Sequence, residues 1–158
     1  MRMFFGVILH HNTKQIYTRV CYNTTNCKII MAKKILILDD NEDILEMMKI
    51  ALEDEGHEVE CLTNTDDIFK TINHIKPNLL IVDYILPGIN GGEFCHQVKT
   101  NPKTSHIPVI MVSGHQRVLE SLGTYGADVF IAKPFSLEEI VYNVNNCLMQ
   151  PDNCAAAG

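Results

Sequence analysis

From residue 34 onward, short continuous apolar runs alternate with stretches whose apolar residues recur every three or four positions. Ile35 to Leu38 is one such run, the pattern of a strand covered on both faces. Ile44, Met47, Met48 and Ala51 then fall at i, i+3, i+4 and i+7, which predicts a helix from about Asn41 to Glu55, stopped at Gly56. The alternation continues. His57 to Leu62 reads as a second strand, Thr65 to His74 as a second helix with Ile68, Phe69 and Ile72 inward, and Leu79 to Val82 as a third strand. After the Leu86-Pro87-Gly88 turn and Gly91-Gly92, a short helix is expected over Phe94 to Lys99, broken by Asn101-Pro102. Val109 to Val112 is a fourth strand, residues 116 to 123 a weak fourth helix, and Val129 to Ala132 a fifth strand. Leu137, Ile140, Val141, Val144 and Leu148 mark a last helix, with Ser136 and Glu139 spaced as a capping box. Five β/α units in this order predict a parallel sheet with helices on both faces, joined by right-handed crossovers.

The first thirty residues do not follow this pattern. Their one apolar stretch, Met3 to Leu9, ends in His10 and His11 with no small-residue cleavage signal, and Met31-Ala32-Lys33-Lys34 has the look of a fresh start. Residues 1–30 are therefore expected to be a poorly ordered extension, with a targeting or docking arm as the alternative. Residues 31–150 are expected to form the folded domain and 151–158 a short tail. At 158 residues there is room for one domain of ordinary size, and 46% apolar with 20% charged residues is a normal globular composition. The net charge of -6 is uneven. Arg2, Lys14, Arg19 and Lys28 face no acid within 1–30, so the remaining residues carry -10, from 9 basic against 19 acidic side chains. Such a domain is a poor non-specific binder of nucleic acid.

Cys21, Cys27, Cys61, Cys95, Cys147 and Cys154 are scattered, without a C-x-x-C pair or a histidine at metal-ligand spacing. Neither a zinc site nor a disulfide framework is legible, and reduced thiols are expected. Cys154 misses the spacing of a prenylation signal. No apolar run reaches the roughly 18 residues that span a bilayer, so a cytoplasmic protein without a membrane partner is expected.

In an open parallel sheet the working crevice lies at the carboxyl ends of the strands. The residues just past each apolar run are Asp39 and Asp40, then Asp83, Ser113, and Lys133 followed by Pro134. Taken singly each has an ordinary use: an aspartate at a strand–helix junction is often an N-cap, a serine a turn residue, a lysine a solvated charge. Their joint placement at consecutive strand ends points to chemistry. Three close carboxylates repel one another, and all-oxygen ligation suits Mg²⁺. A flavin mononucleotide site would want hydroxyl and glycine residues where Asp39-Asp40-Asn41-Glu42 stands, and a P-loop motif is missing.

These residues carry a resemblance. Residues 34–149 resemble the receiver domain of two-component response regulators, in its stand-alone form. The matching pieces are the strand ending in Asp39-Asp40, the Leu79-Leu80-Ile81-Val82-Asp83 run with Leu86-Pro87-Gly88 and Asn90-Gly91 behind it, Pro108 to Gly114, and Gly126-Ala127-Asp128 leading to Lys133-Pro134-Phe135. The resemblance implies a flavodoxin-like, doubly wound (βα)5 fold with a five-stranded parallel sheet. It further implies that Asp83 accepts a phosphoryl group from a histidine kinase or a histidine phosphotransfer protein. Asp40, Asp83 and the main-chain carbonyl of Ile85 would hold Mg²⁺, with Asp39 acting through water. Lys133 and Ser113 would contact the phosphoryl group, and Gly114 would leave space for it. Phe130 would be a switch aromatic, turning inward as Ser113 moves and altering, for a downstream target, the face built by the fourth helix, fifth strand and last helix. Gly92 departs from the family pattern, where a larger apolar residue packs, and is expected to loosen that helix start by about 1 kcal/mol relative to Ala. A haloacid dehalogenase-type phosphotransferase wants D-x-D after the first strand, whereas the acids here are adjacent. A degenerate receiver acting as an interaction scaffold is the other alternative. Neither is a classical signalling phosphoacceptor, and the resemblance implies no enzyme beyond self-phosphorylation and self-dephosphorylation.

Overall fold

The computed structural model describes residues 17–23, 26–88, 90–114 and 125–149. Five parallel strands form the main sheet: β3 (Lys34–Leu38), β4 (Glu58–Leu62), β5 (Leu79–Asp83), β6 (Val109–Ser113) and β7 (Val129–Ala132), ordered β4-β3-β5-β6-β7. Helices α1 (Glu42–Asp54), α2 (Ile68–Ile75), α3 (Gly91–Thr100) and α4 (Leu137–Met149) cover it. The predicted helix over 116–123 and the tail 151–158 lie outside the described residues.

Strand alternation divides the core in two. Ile35, Ile37, Leu79, Ile81, Ile110 and Val112 point to the side covered by α1 and α4, where Leu45, Met48, Leu52, Ile140 and Val144 meet them. Leu36, Leu38, Leu80, Val82, Val109 and Met111 point to the other side, against Ile68 and Ile72 of α2 and Phe94 and Val98 of α3. This is why β3, β5 and β6 read as unbroken apolar runs: both of their faces are buried, whereas the edge strand β4 exposes Glu58 and Glu60.

Local chemistry sets the helix ends. The Asn41 side chain accepts from the Asp43 and Ile44 N–H groups and opens α1, as predicted. The second helix starts three residues later than predicted. Asp67 caps it through Lys70 N–H, while the Thr65 hydroxyl is engaged with Thr71, so 65–67 serve as the turn that caps the helix rather than its first turn. The third helix starts earlier than predicted, because Gly91 and Gly92 belong to α3 behind the Asn90 cap. Ser136 Oγ accepts from Glu139 N–H at the start of α4.

A second, separate sheet of two strands lies within the segment expected to be an extension. β1 (Tyr17–Asn23) and β2 (Asn26–Met31) pair antiparallel. The physical reason lies in composition: Tyr17, Thr18, Val20, Ile29 and Ile30 are strand formers, and asparagines stand at the reversal, at Asn23 and Asn26.

Candidate functional site

β3 and β5 are neighbours at the point where the strand order reverses, the position at which a crevice opens above the carboxyl edge of such a sheet. Parallel register brings Leu38 beside Val82, Asp83 beside Val112 and Ser113 beside Ala132. The residues that end or follow these strands therefore emerge together. Asp39, Asp83 and Ser113 are buried and Asp40 is exposed. Oxygens of Asp39, Asp40 and Asp83 all lie within 4.8 Å of one another.

Lys133, carried past the end of β7, ties the group together. Its Nζ donates to Asp39 Oδ2 at 2.7 Å and to Asp83 Oδ2 at 2.6 Å, and its main-chain N–H donates to the Ser113 carbonyl at 2.8 Å. The Lys133–Pro134 peptide is cis. The other carboxylate oxygens are also engaged: Asp39 Oδ1 accepts from Asn41 N–H, and Asp83 Oδ1 from Ile85 N–H. Ile85 is exposed, with its main chain held at the carboxylate by that bond. A side-chain carbon on Gly114 would come no nearer than 4.0 Å, at Lys133, to any of the described residues.

Among the described residues, three carboxylates stand against one ammonium, which leaves two negative charges uncompensated there. Burial pushes the Asp83 carboxyl above its usual range and the Asp39 charge adds to this, outweighing the hydrogen bonds from Lys133 and Ile85 and the Lys133 charge. Burial alone would lower the Lys133 value, but its hydrogen bonds to Asp39 and Asp83 and their charges hold it above the ordinary lysine range. Lys133 is thus firmly charged, shared between two carboxylates that compete for it. A hard divalent cation fits such an all-oxygen, charge-deficient donor set.

Four of the predicted residues, Asp39, Asp40, Asp83 and Lys133, are in this pocket, and Ser113 closes the adjoining strand end. Phe130 is elsewhere. It pairs with Met111 across β6 and β7 and is half-buried against the α2/α3 side of the core.

Sequence reasoning missed an aromatic pair beside the site. Tyr84, next to Asp83, and Tyr125 lie with ring centroids 6.0 Å apart at 47°. A side-chain carbon on Gly92 would come 2.9 Å from the Tyr125 ring and 3.0 Å from Tyr84. Gly92, where a larger residue was expected, is the signal that something else fills this space. Gly91 is tighter still, since a side-chain carbon there would collide with the Asp83 carbonyl. Also missed was the partner of Asp128, which binds Lys99 Nζ through both oxygens, at 3.1 and 2.9 Å, and accepts from Val109 N–H at 2.7 Å.

Comparison with known proteins agrees with this geometry. Residues 35–145 match the response regulator receiver domain family. The chain is 34% identical over 121 residues to the phosphate regulon transcriptional regulatory protein PhoB of Rhizobium meliloti, covering 75% of this chain and 53% of that protein. It thus spans about half the length of that curated relative. Among solved structures, a putative response regulator from Chloroflexus aurantiacus superposes with a TM-score of 0.69 at 32% identity, covering 75% of this chain and 98% of the other. The response regulator TrrA of Thermotoga maritima, in complex with Mg²⁺ and BeF, gives a TM-score of 0.65 at 27% identity, over 72% of this chain and 97% of that one. Among the described residues no helix is long and apolar enough to cross a membrane. With the family model spanning most of the sheet and the acidic pocket falling where that fold places its crevice, the chain belongs to the response regulator receiver domains of two-component systems.

Proposed function

We propose that Asp83 is the phosphoacceptor of a signalling module, charged by a histidine kinase or a histidine phosphotransfer protein, and that the phosphoryl group changes a surface read by a downstream protein. One observation carries this reading: Lys133 binds Asp83 and Asp39 together, with Asp40 within 4.8 Å, so a buried carboxylate stands between a fixed cation and a vacant-charge oxygen cluster. In that reading Asp83 attacks phosphorus, the bond from phosphorus to the donor's imidazole nitrogen breaks, and the imidazole keeps the electron pair and takes a proton. Asp40, Asp83 and the Ile85 carbonyl would hold Mg²⁺, and Asp39 would act through water. When bound, the ion neutralises phosphoryl oxygens as charge gathers on them. Lys133 moves its bond from Asp83 to a phosphoryl oxygen and keeps Asp39. The Ser113 hydroxyl donates to another phosphoryl oxygen.

Phe130 supplies the switch in this proposal. Drawing Ser113 toward the phosphoryl group alters the packing at β6 and β7, Phe130 turns inward, and the face that includes β7 and α4 changes for its target. The haloacid dehalogenase-type and scaffold alternatives are not favoured, given the family match and an acidic pocket complete with Lys133.

Mass spectrometry after incubation with Mg²⁺ and a small phosphodonor tests the assignment. An acid-resistant, hydroxylamine-labile adduct on Asp83 is expected, and Asp83→Asn should take up none, because an amide is not an anionic nucleophile. Labelling of Asp83→Asn at the wild-type rate would sink it.

A further inference from the structure

The register of the N-terminal hairpin sets Cys21 of β1 opposite Cys27 of β2. Spacing alone gives no reason to pair these residues; strand pairing does. Directly opposed residues of an antiparallel pair share one face of the ribbon. Their Cα atoms stand about 4.5 or about 5.5 Å apart, depending on the pair type. Both values lie within the roughly 4.4–6.8 Å that a disulfide spans.

We propose that Cys21 and Cys27 form a redox-active dithiol, which a disulfide oxidant of the oxidised-glutathione class closes into a disulfide that clamps the hairpin. One thiolate attacks a sulfur of the oxidant, forming a mixed disulfide and releasing one small thiol. The second cysteine, as thiolate, attacks the protein sulfur of that mixed disulfide and releases the second small thiol. Two electrons pass to the oxidant's S–S bond, and the two protons end on the released thiols.

The other described cysteines favour this assignment. Cys61, Cys95 and Cys147, on β4, α3 and α4, are in no disulfide among the described residues. Burial pushes the Cys95 thiol up to about 12 and raises that of Cys61, which starves both of the reactive thiolate. The hairpin is also where a cross-link has most to act on. A two-stranded ribbon is marginal by itself in water, and the pairing register shifts between Cys21 and Asn23, beside the cysteine pair.

The full-length chain is equilibrated with oxidised and reduced glutathione, then alkylated and mapped by mass spectrometry. An intramolecular Cys21–Cys27 disulfide that reduced glutathione reverses is expected, with Cys95 still alkylatable after unfolding. In Cys21→Ser or Cys27→Ser only a mixed disulfide with glutathione should appear. Amide exchange over residues 17–31 should slow about tenfold or more on oxidation, at the low end of what closing a short loop gives. Pairing of either cysteine with Cys61 or Cys154, or a pair that stays fully alkylatable in oxidised glutathione, overturns the dithiol. Unchanged exchange in the disulfide form overturns the clamp.

Discussion

At Gly92 a single missing methyl group decides between helix propensity and packing. Propensity favours Ala there by about 1 kcal/mol. The added carbon, however, would sit 2.9 Å from the Tyr125 ring and 3.0 Å from Tyr84, and overpacking of this kind costs about 1–3 kcal/mol. Gly92→Ala is therefore expected to lower stability, by about 1 kcal/mol net, and to become neutral or stabilising when combined with Tyr125→Ala. Urea midpoints of the four proteins decide it; a gain from Gly92→Ala alone means the rings yield freely. The two acids after β3 differ as well. Both Asp39 oxygens are engaged, by Asn41 N–H and Lys133, while Asp40 is exposed. Asp40→Ala should weaken Mg²⁺ binding sharply and Asp39→Ala less, and equal losses in a metal titration would contradict the direct and water-mediated roles proposed for them.

Among the elements, the ion pair between Lys99 of α3 and Asp128, just before β7, links parts that the sheet does not itself join. The Asp128 side chain is 4% exposed and also serves Val109 N–H at the start of β6. Removing it leaves a half-buried ammonium and a strand N–H without their acceptor, so Asp128→Ala should cost about 3 kcal/mol. Urea unfolding measures this, and a loss near zero would mean that water replaces both bonds. All five strands of the main sheet and the four described helices lie after Met31, so a chain beginning at Met31 is expected to fold and to take up phosphate as the full chain does. A large drop in melting temperature on truncation would show that the arm packs on the domain.

For the whole molecule, one pH-dependent contribution to stability comes from His57, buried where β4 begins and joined through Nε2 to Asn145 of α4 at 3.4 Å. Its Nδ1 has no hydrogen-bond partner among the described residues. Burial holds the imidazole below its ordinary value of 6.5, against the opposing hydrogen bond to Asn145. The unfolded chain then binds a proton before the folded one does. This contribution to stability is complete above pH 6.5 and is lost as the pH falls below it. Urea midpoints at about pH 7.5 and about pH 5.5 should differ in the wild type and differ less in His57→Leu. An equal fall in both proteins would assign the acid sensitivity to other groups.

The alternation of apolar runs and helical periods determined the five strands, the four described helices to within three residues, and the two-sided core. It did so because both features report local geometry, with a period of 2 or 3.6. The strand-end residues were legible for the same reason: a run that stops in Asp39, Asp83 or Ser113 stops at the edge of the sheet. Tertiary structure alone decided what meets there. Lys133 reaches Asp83 and Asp39 across separations of 50 and 94 residues, and no local pattern encodes a contact of that span. The early start of α3 escaped the sequence because its two glycines are selected by the Asp83 carbonyl and two tyrosine rings, not by helix propensity. The hairpin escaped it because short alternating segments carry a weak signal, and strand pairing, which sets Cys21 opposite Cys27, exists only once the chain turns back on itself.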